Sequence, residues 1–163
     1  MKEHIIEFVS QFPDTWATFL LAMIPITELR ASIPVAITIF ELPPLTALVY
    51  SLAGNIAMGL IVLVIANHFI HYLLRHVPFL EKIWNRYIKR IEEKHTEKFE
   101  RWGSMALILF VAIPLPMTGI VTGAIAASIF QVPIKQALIL LSIGALIAGV
   151  IVTLLTVSVG AAF

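Results

Sequence analysis

The chain has 163 residues and a mass of 18.0 kDa, of which 60% are hydrophobic and 13% charged, with a mean hydropathy of +0.97; that mix lies outside the range of soluble domains. No cysteine occurs, which excludes disulfides, thiolate catalysis and cysteine-based zinc or iron–sulfur sites. The net charge of +1 hides an asymmetry, because 13 of the 21 charged side chains, 11 basic and 10 acidic, lie between Arg75 and Arg101.

Residues 1–15 mix Ile5, Ile6, Phe8, Val9 and Phe12 with Glu3, His4, Glu7 and Gln11, the pattern of an amphipathic helix lying on a membrane. The basic start, compact apolar centre and small-residue cleavage site of a signal peptide are missing, so this helix is expected in the mature protein.

Four apolar stretches follow: 16–40, 45–72, 104–131 and 136–163. About 20 residues cross a ~30 Å hydrocarbon core, so each is long enough to matter. The second and fourth read as uninterrupted transmembrane helices, with Gly54, Gly59, Gly144 and Gly149 permitting close helix approach. The other two are broken near their centres, one by Pro25, Glu28, Arg30 and Pro34, the other by Pro114, Pro116 and Gly119. Each predicts either a re-entrant hairpin or a kinked full span.

Between the halves, residues 75–103 carry apolar positions at three- and four-residue spacing and eight of the eleven Lys and Arg. This is an amphipathic helix, placed in the cytoplasm by the positive-inside bias. Its solvated face is the default reading; a partner-binding helix and a contact with anionic headgroups are the alternatives.

Sliding the sequence on itself by 90 residues aligns Ile39-Phe40-Glu41-Leu42-Pro43 with Ile129-Phe130-Gln131-Val132-Pro133, and Gly54 and Gly59 with Gly144 and Gly149. Ten of 36 positions match between 31–66 and 121–156, which points to an internal duplication. If the broken segments are hairpins, a single crossing separates equivalent points and the repeats are inverted, as in transporter cores. If they are kinked spans, the repeats are parallel. Non-helical backbone at membrane depth survives only against protein or a water-filled cavity, and two facing hairpin tips would shield each other. The fold expected is therefore an all-α integral membrane protein, an inverted repeat of re-entrant helical hairpin plus transmembrane helix, with amphipathic helices.

Glu28 and Arg30 are the ionisable pair deep in an apolar segment, at a cost of about 2.5–3.5 kcal/mol each on insertion scales. One reading is an ion pair that holds the broken backbone. The other gives Arg30 an anionic group to bind and makes Glu28 a proton acceptor. Thr27 and Thr118 are candidate N-caps for the second half-helices, whose amides and dipoles would face the membrane centre and favour an anion. Pro114, Pro116, Thr118, Gly119 and Thr122 form the second break, read as a turn or a helix kink. Asn55, beside Gly54, reads as interhelical glue to a hairpin ahead of substrate contact. His68, His71 and His76 have no carboxylate nearby in sequence and read as interfacial residues, so no metal and no cofactor is expected. No nucleophile elbow, phosphate loop or dinucleotide fingerprint occurs, and the charged helix is too mixed in sign for nucleic acid; an enzyme is not expected.

The segments Glu28-Leu29-Arg30-Ala31-Ser32-Ile33-Pro34 and Pro114-Leu115-Pro116-Met117-Thr118-Gly119 resemble the family called putative small multidrug export proteins, over nearly the whole chain. That family is similar to the wider DedA superfamily. The resemblance implies two facing re-entrant hairpins and, in some members, translocation of polyprenyl-phosphate or other lipids. It gives the first hairpin's functional positions to Glu28, Arg30 and Pro34, and the second's to Pro114, Pro116, Thr118, Gly119 and Thr122. Met117 stands where the family pattern commonly has Gly, and the second hairpin has no arginine. Arg30 is then the sole deep cation for a phosphate.

The leading expectation is a transporter or lipid translocase of the plasma (inner) membrane, moving an anionic cargo between the hairpins with protons as partner. A proton-driven exporter of small cationic drugs is the runner-up, and a membrane scaffold acting through the charged helix the third reading. So short a chain encloses little cavity alone, which predicts a homodimer.

Overall fold

In a computed structural model of the chain, the described residues are 12–76, 96–114 and 118–160. Residues 1–11, 77–95, 115–117 and 161–163 lie outside them, and with them most of the two segments expected as amphipathic helices, and Pro116. The described residues form six helices and no strand: α1 (Asp14–Met23), α2 (Glu28–Thr38), α3 (Pro44–His76), α4 (Thr96–Ala112), α5 (Ile120–Ile129) and α6 (Ile134–Gly160).

Length sorts these helices into two kinds. At 1.5 Å per residue, the 33 residues of α3 and the 27 of α6 extend about 50 and 40 Å, more than the ~30 Å of a hydrocarbon core. They are the two described helices long and apolar enough to cross a membrane, and they expose large aliphatic side chains such as Leu45, Ile65, Ile139 and Leu154. The sequence makes their starts sharp. Pro44 occupies the first position of α3, where a missing N–H costs nothing, and Pro133 directly precedes α6.

The two interrupted stretches each become two shorter helices. α1, α2 and α5 have 10, 11 and 10 residues, about 15 Å each, half the apolar thickness. Between α1 and α2 the chain wraps around one carbonyl, with Thr27 and Glu28 both donating their N–H to Ile24 O (3.1 and 2.9 Å). α4 stops at Ala112, two residues before Pro114, because the residue preceding a proline is pushed out of helical conformation. At its other end α4 continues through Gly103 from Thr96, across the 103/104 boundary drawn from hydropathy, since a lone glycine does not end a helix.

α1 and α2 lie side by side. Ala17 and Leu21 of α1 share a small apolar cluster with Ile24, Val35 and Phe40, so α1 packs on the later part of α2 and the residue that follows its end. The main core is built from Leu29 and Ile33 of α2, Leu63 of α3, Val111 of α4, Ile120, Ala124 and Ala127 of α5, and Ala137, Leu141, Ala145, Ala148 and Val152 of α6. Five of these twelve are alanine, all on α5 and α6, and small residues of this kind let helices approach closely in a membrane.

Residues ninety apart behave alike. Glu41 and Gln131, in the connectors after α2 and α5, both take left-handed backbone (φ 52° and 53°). The next residue in each case, Leu42 or Val132, donates its N–H back into the helix just ended, to Ala36 O and Ala127 O, which satisfies a carbonyl left over at the helix end. Gly54 of α3 lies against the backbone carbonyl of Phe19 in α1, and Gly144 of α6 against that of Ile108 in α4. α3 packs on α1, α2, α5 and α6, while α6 packs on α4, α5, α2 and α3. Exchanging the two halves of the chain leaves this contact pattern unchanged.

Candidate functional site: a carboxylate and a guanidinium between two helix breaks

The first break delivers its two charges to the second. Glu28 opens α2 with φ 44°, a left-handed conformation that costs a side-chain-bearing residue roughly 1–2 kcal/mol. This irregular start lets residues two apart meet, as they cannot on a regular helix: Arg30 Nη1 donates to Glu28 Oε2 at 2.7 Å. The other carboxylate oxygen, Oε1, accepts the backbone N–H of Val121 at 3.3 Å, in the first turn of α5. The other terminal guanidinium nitrogen, Nη2, donates to Ile113 O (3.2 Å), Thr118 O (3.2 Å) and Thr118 Oγ1 (3.3 Å), while Nε is buried without an acceptor.

The signs match the backbone. Ile113 follows the last residue of α4, where helix dipoles leave partial negative charge, and Val121 lies in the first turn of α5, where they leave partial positive charge. The guanidinium is on the former and the carboxylate on the latter, and each bond is charge-assisted. Gly119 makes the approach possible: the Glu28 carboxylate occupies the space a Cβ at Gly119 would fill. The Glu28 side chain is 7% exposed and that of Arg30 20%, so the pair is withdrawn from its surroundings but Arg30 keeps an open side.

Compared with known proteins, residues 28–151 match the model of the family described as putative small multi-drug export protein. The chain belongs to that family. No curated protein and no solved structure matches it. The family match begins at Glu28, directly after the first break, and takes in α2, α3, the second break, both connectors with left-handed residues, and α6 as far as Ile151.

Within this member of the small multi-drug export family, the structure brings together Glu28, Arg30, Thr118 and Gly119. Pro114 follows the carbonyl of Ile113 that Arg30 engages. Thr122 donates to Gly119 O (3.0 Å), bracing the first turn of α5. Pro34 sits inside α2, six residues from Glu28, where it lacks the N–H that would bond the Arg30 carbonyl.

The roles expected of Thr27, Thr118 and Asn55 are corrected. Thr27 does not cap α2: its hydroxyl donates backward to Leu21 O (2.7 Å) and Ile24 O (3.2 Å), closing the end of α1. Thr118 likewise donates backward, to Ile113 O (2.9 Å), and the N-cap of α5 is Gly119. Carbonyls stranded at a break need donors, and a hydroxyl just beyond the break reaches them first. Asn55 is not the bond between α3 and a hairpin either. It is 1% exposed and its Oδ1 has no hydrogen-bond partner. The bond between these helices is Ser32 Oγ to Ser51 Oγ (2.8 Å), both buried. Sequence reasoning missed it, although Ser32 stands four residues after Glu28 and Ser51 four before Asn55, the spacing of one helix face.

Proposed function

We propose that this protein is a proton-coupled membrane exporter in which the Glu28–Arg30 pair is the contact that must open for cargo to bind. In this reading α1–α2 and α4–α5 are re-entrant hairpins entering from opposite faces, the halves are inverted repeats, and the breaks meet near the midplane. Support comes from the half-thickness helices, the side-by-side packing of α1 and α2, and the contact pattern that survives exchange of the halves.

One observation carries the functional reading: the Glu28 carboxylate occupies an anion cradle made by Arg30, the Val121 N–H and the space above Gly119. Glu28 acts there as a built-in anion. Protonation removes its charge and with it the attraction to Arg30 and the α5 N-terminus. The cradle then accepts an anionic group of a cargo, a lipid phosphate among them, and expulsion of that group returns the carboxylate. Proton and cargo thus exchange at one place. The chain supplies binding and a gate and catalyses no bond chemistry, and the working unit is a homodimer in the plasma (inner) membrane, with the 75–103 segment cytoplasmic.

A second reading is a cationic cargo that replaces Arg30 on Glu28. The greater exposure of Arg30 favours it, since the open partner is the easier one to displace. Proteoliposomes loaded with a pH dye separate the two. Proton movement driven by a polyprenyl-phosphate analogue, and lost in both Arg30→Ala and Glu28→Gln, supports the anionic cargo. Movement driven by lipophilic cations that survives in Arg30→Ala supports the cationic one. Transport unaffected by either substitution overturns both.

A further inference from the structure

We propose that Asn55 is the second docking position of the Glu28 side chain: on taking up a proton, the Glu28 carboxyl leaves Arg30 and the first turn of α5 and donates that proton to Asn55 Oδ1. This rests on the reading of Glu28 as the proton-linked group.

Asn55 is placed by its neighbours on both sides. Ser51, Asn55 and Gly59 recur every four residues and share one face of α3. Ser51 is bonded to Ser32 of α2, one turn after Glu28. Gly59 lies against Ile120 of α5, whose side chain would be 2.8 Å from a Cβ at that glycine, and Ile120 adjoins the Val121 N–H that Glu28 accepts. Between these two contacts, Asn55 stands on the face of α3 that Ser51 turns to α2 and Gly59 to α5. The short connector 39–43 turns α3 back alongside α2, so one turn inward from the Ser32–Ser51 bond is Glu28 on one helix and Asn55 on the other.

The chemistry is complementary. Asn55 is buried and its carbonyl oxygen is an acceptor without a donor, a state that is unfavourable until a donor arrives. An ionised Glu28 has only acceptors to offer; a protonated one has a single O–H. The left-handed backbone at Glu28 favours departure, since strain of this kind persists only while the surroundings hold it. Among the described residues, Arg30 is the titratable group in contact with Glu28. Asp14 begins α1, Lys135 lies in the first turn of α6, and Tyr50 is five residues from Asn55 on α3. His68, Tyr72 and the charged residues after Ile70, with those before Gly103 on α4, are about 15 Å or more along their helices from Asn55 and Ile113. α5 has no titratable residue.

The test is infrared difference spectroscopy of the full chain in liposomes as pH is stepped, with the Glu28 carboxyl C=O band identified as the one lost in Glu28→Gln. In Asn55→Leu and the smaller Asn55→Ala, that band is expected to move to higher frequency, the position of a carboxyl without an acceptor. Asn55→Gln, which keeps the amide, is expected to restore a hydrogen-bonded band. A band unmoved in both Leu and Ala variants overturns the proposal while leaving proton coupling through Glu28 intact. No band sensitive to Glu28→Gln overturns both.

Discussion

The Glu28 carboxylate sits where Gly119 would carry its Cβ, although 91 residues separate the two in the chain. The meeting of the two helix breaks depends on that missing methyl. Gly119→Ala is expected to push the carboxylate off the first turn of α5 and to lower stability by about 1–3 kcal/mol, the cost of stranding buried polar groups. Gly103→Ala is the control, since nothing lies within 4 Å of a Cβ there; inside α4 it is expected to be neutral or stabilising by about 0.5–1 kcal/mol. Thermal unfolding in detergent compares the two.

A double-mutant cycle on the ion pair gives a second expectation. Arg30→Met leaves a buried carboxylate unpaired, and breaking such a pair from one side costs about 3–5 kcal/mol. Adding Glu28→Gln removes the stranded charge, so the double variant is expected to be less damaged than the sum of the singles, by about 1–3 kcal/mol. Additive losses would mean that the contact at 2.7 Å holds nothing together.

The connectors supply a paired expectation. Glu41 and Gln131 are exposed and left-handed, so glycine at either position relieves roughly 1 kcal/mol of backbone strain. Glu41→Gly and Gln131→Gly are expected to stabilise the protein similarly, each measured by unfolding in detergent. Glu28→Gly relieves the same kind of strain but deletes the carboxylate, and is expected to destabilise.

The buried hydroxyl pair is tested the same way. Ser32→Ala or Ser51→Ala leaves one buried hydroxyl without its partner, for a loss of about 1–3 kcal/mol, whereas the double substitution removes both and is expected to cost less than the two singles combined.

The sequence carries much of this architecture in plain view. The long apolar runs of α3 and α6, the prolines that begin them, the ninety-residue offset and the two interrupted segments are all local signals of composition and spacing. Glu28, Arg30, Thr118 and Gly119 were legible as a candidate site because charge in an apolar stretch is costly and Thr-Gly after prolines demands a turn. What sequence could not supply is partnership across the fold. The carbonyl of Ile113 and the N–H of Val121 are backbone groups, carried by residues whose side chains give no hint of them. The threonines bond backward because carbonyls at the end of the preceding helix are nearer than the amides ahead, a matter of turn geometry. Ser32 and Ser51 are inconspicuous alone and informative only as a pair on facing helices.

The chain has no cysteine, so single Glu41→Cys and Gln131→Cys variants report topology without background. Labelled in sealed vesicles with a membrane-impermeant maleimide from one side and then the other, they test whether each broken segment enters and leaves on one face. Two re-entrant hairpins place residues 41 and 131 on opposite sides of the membrane, and labelling from opposite sides is the expected result. Labelling of both from the same side means four full crossings, and contradicts the account.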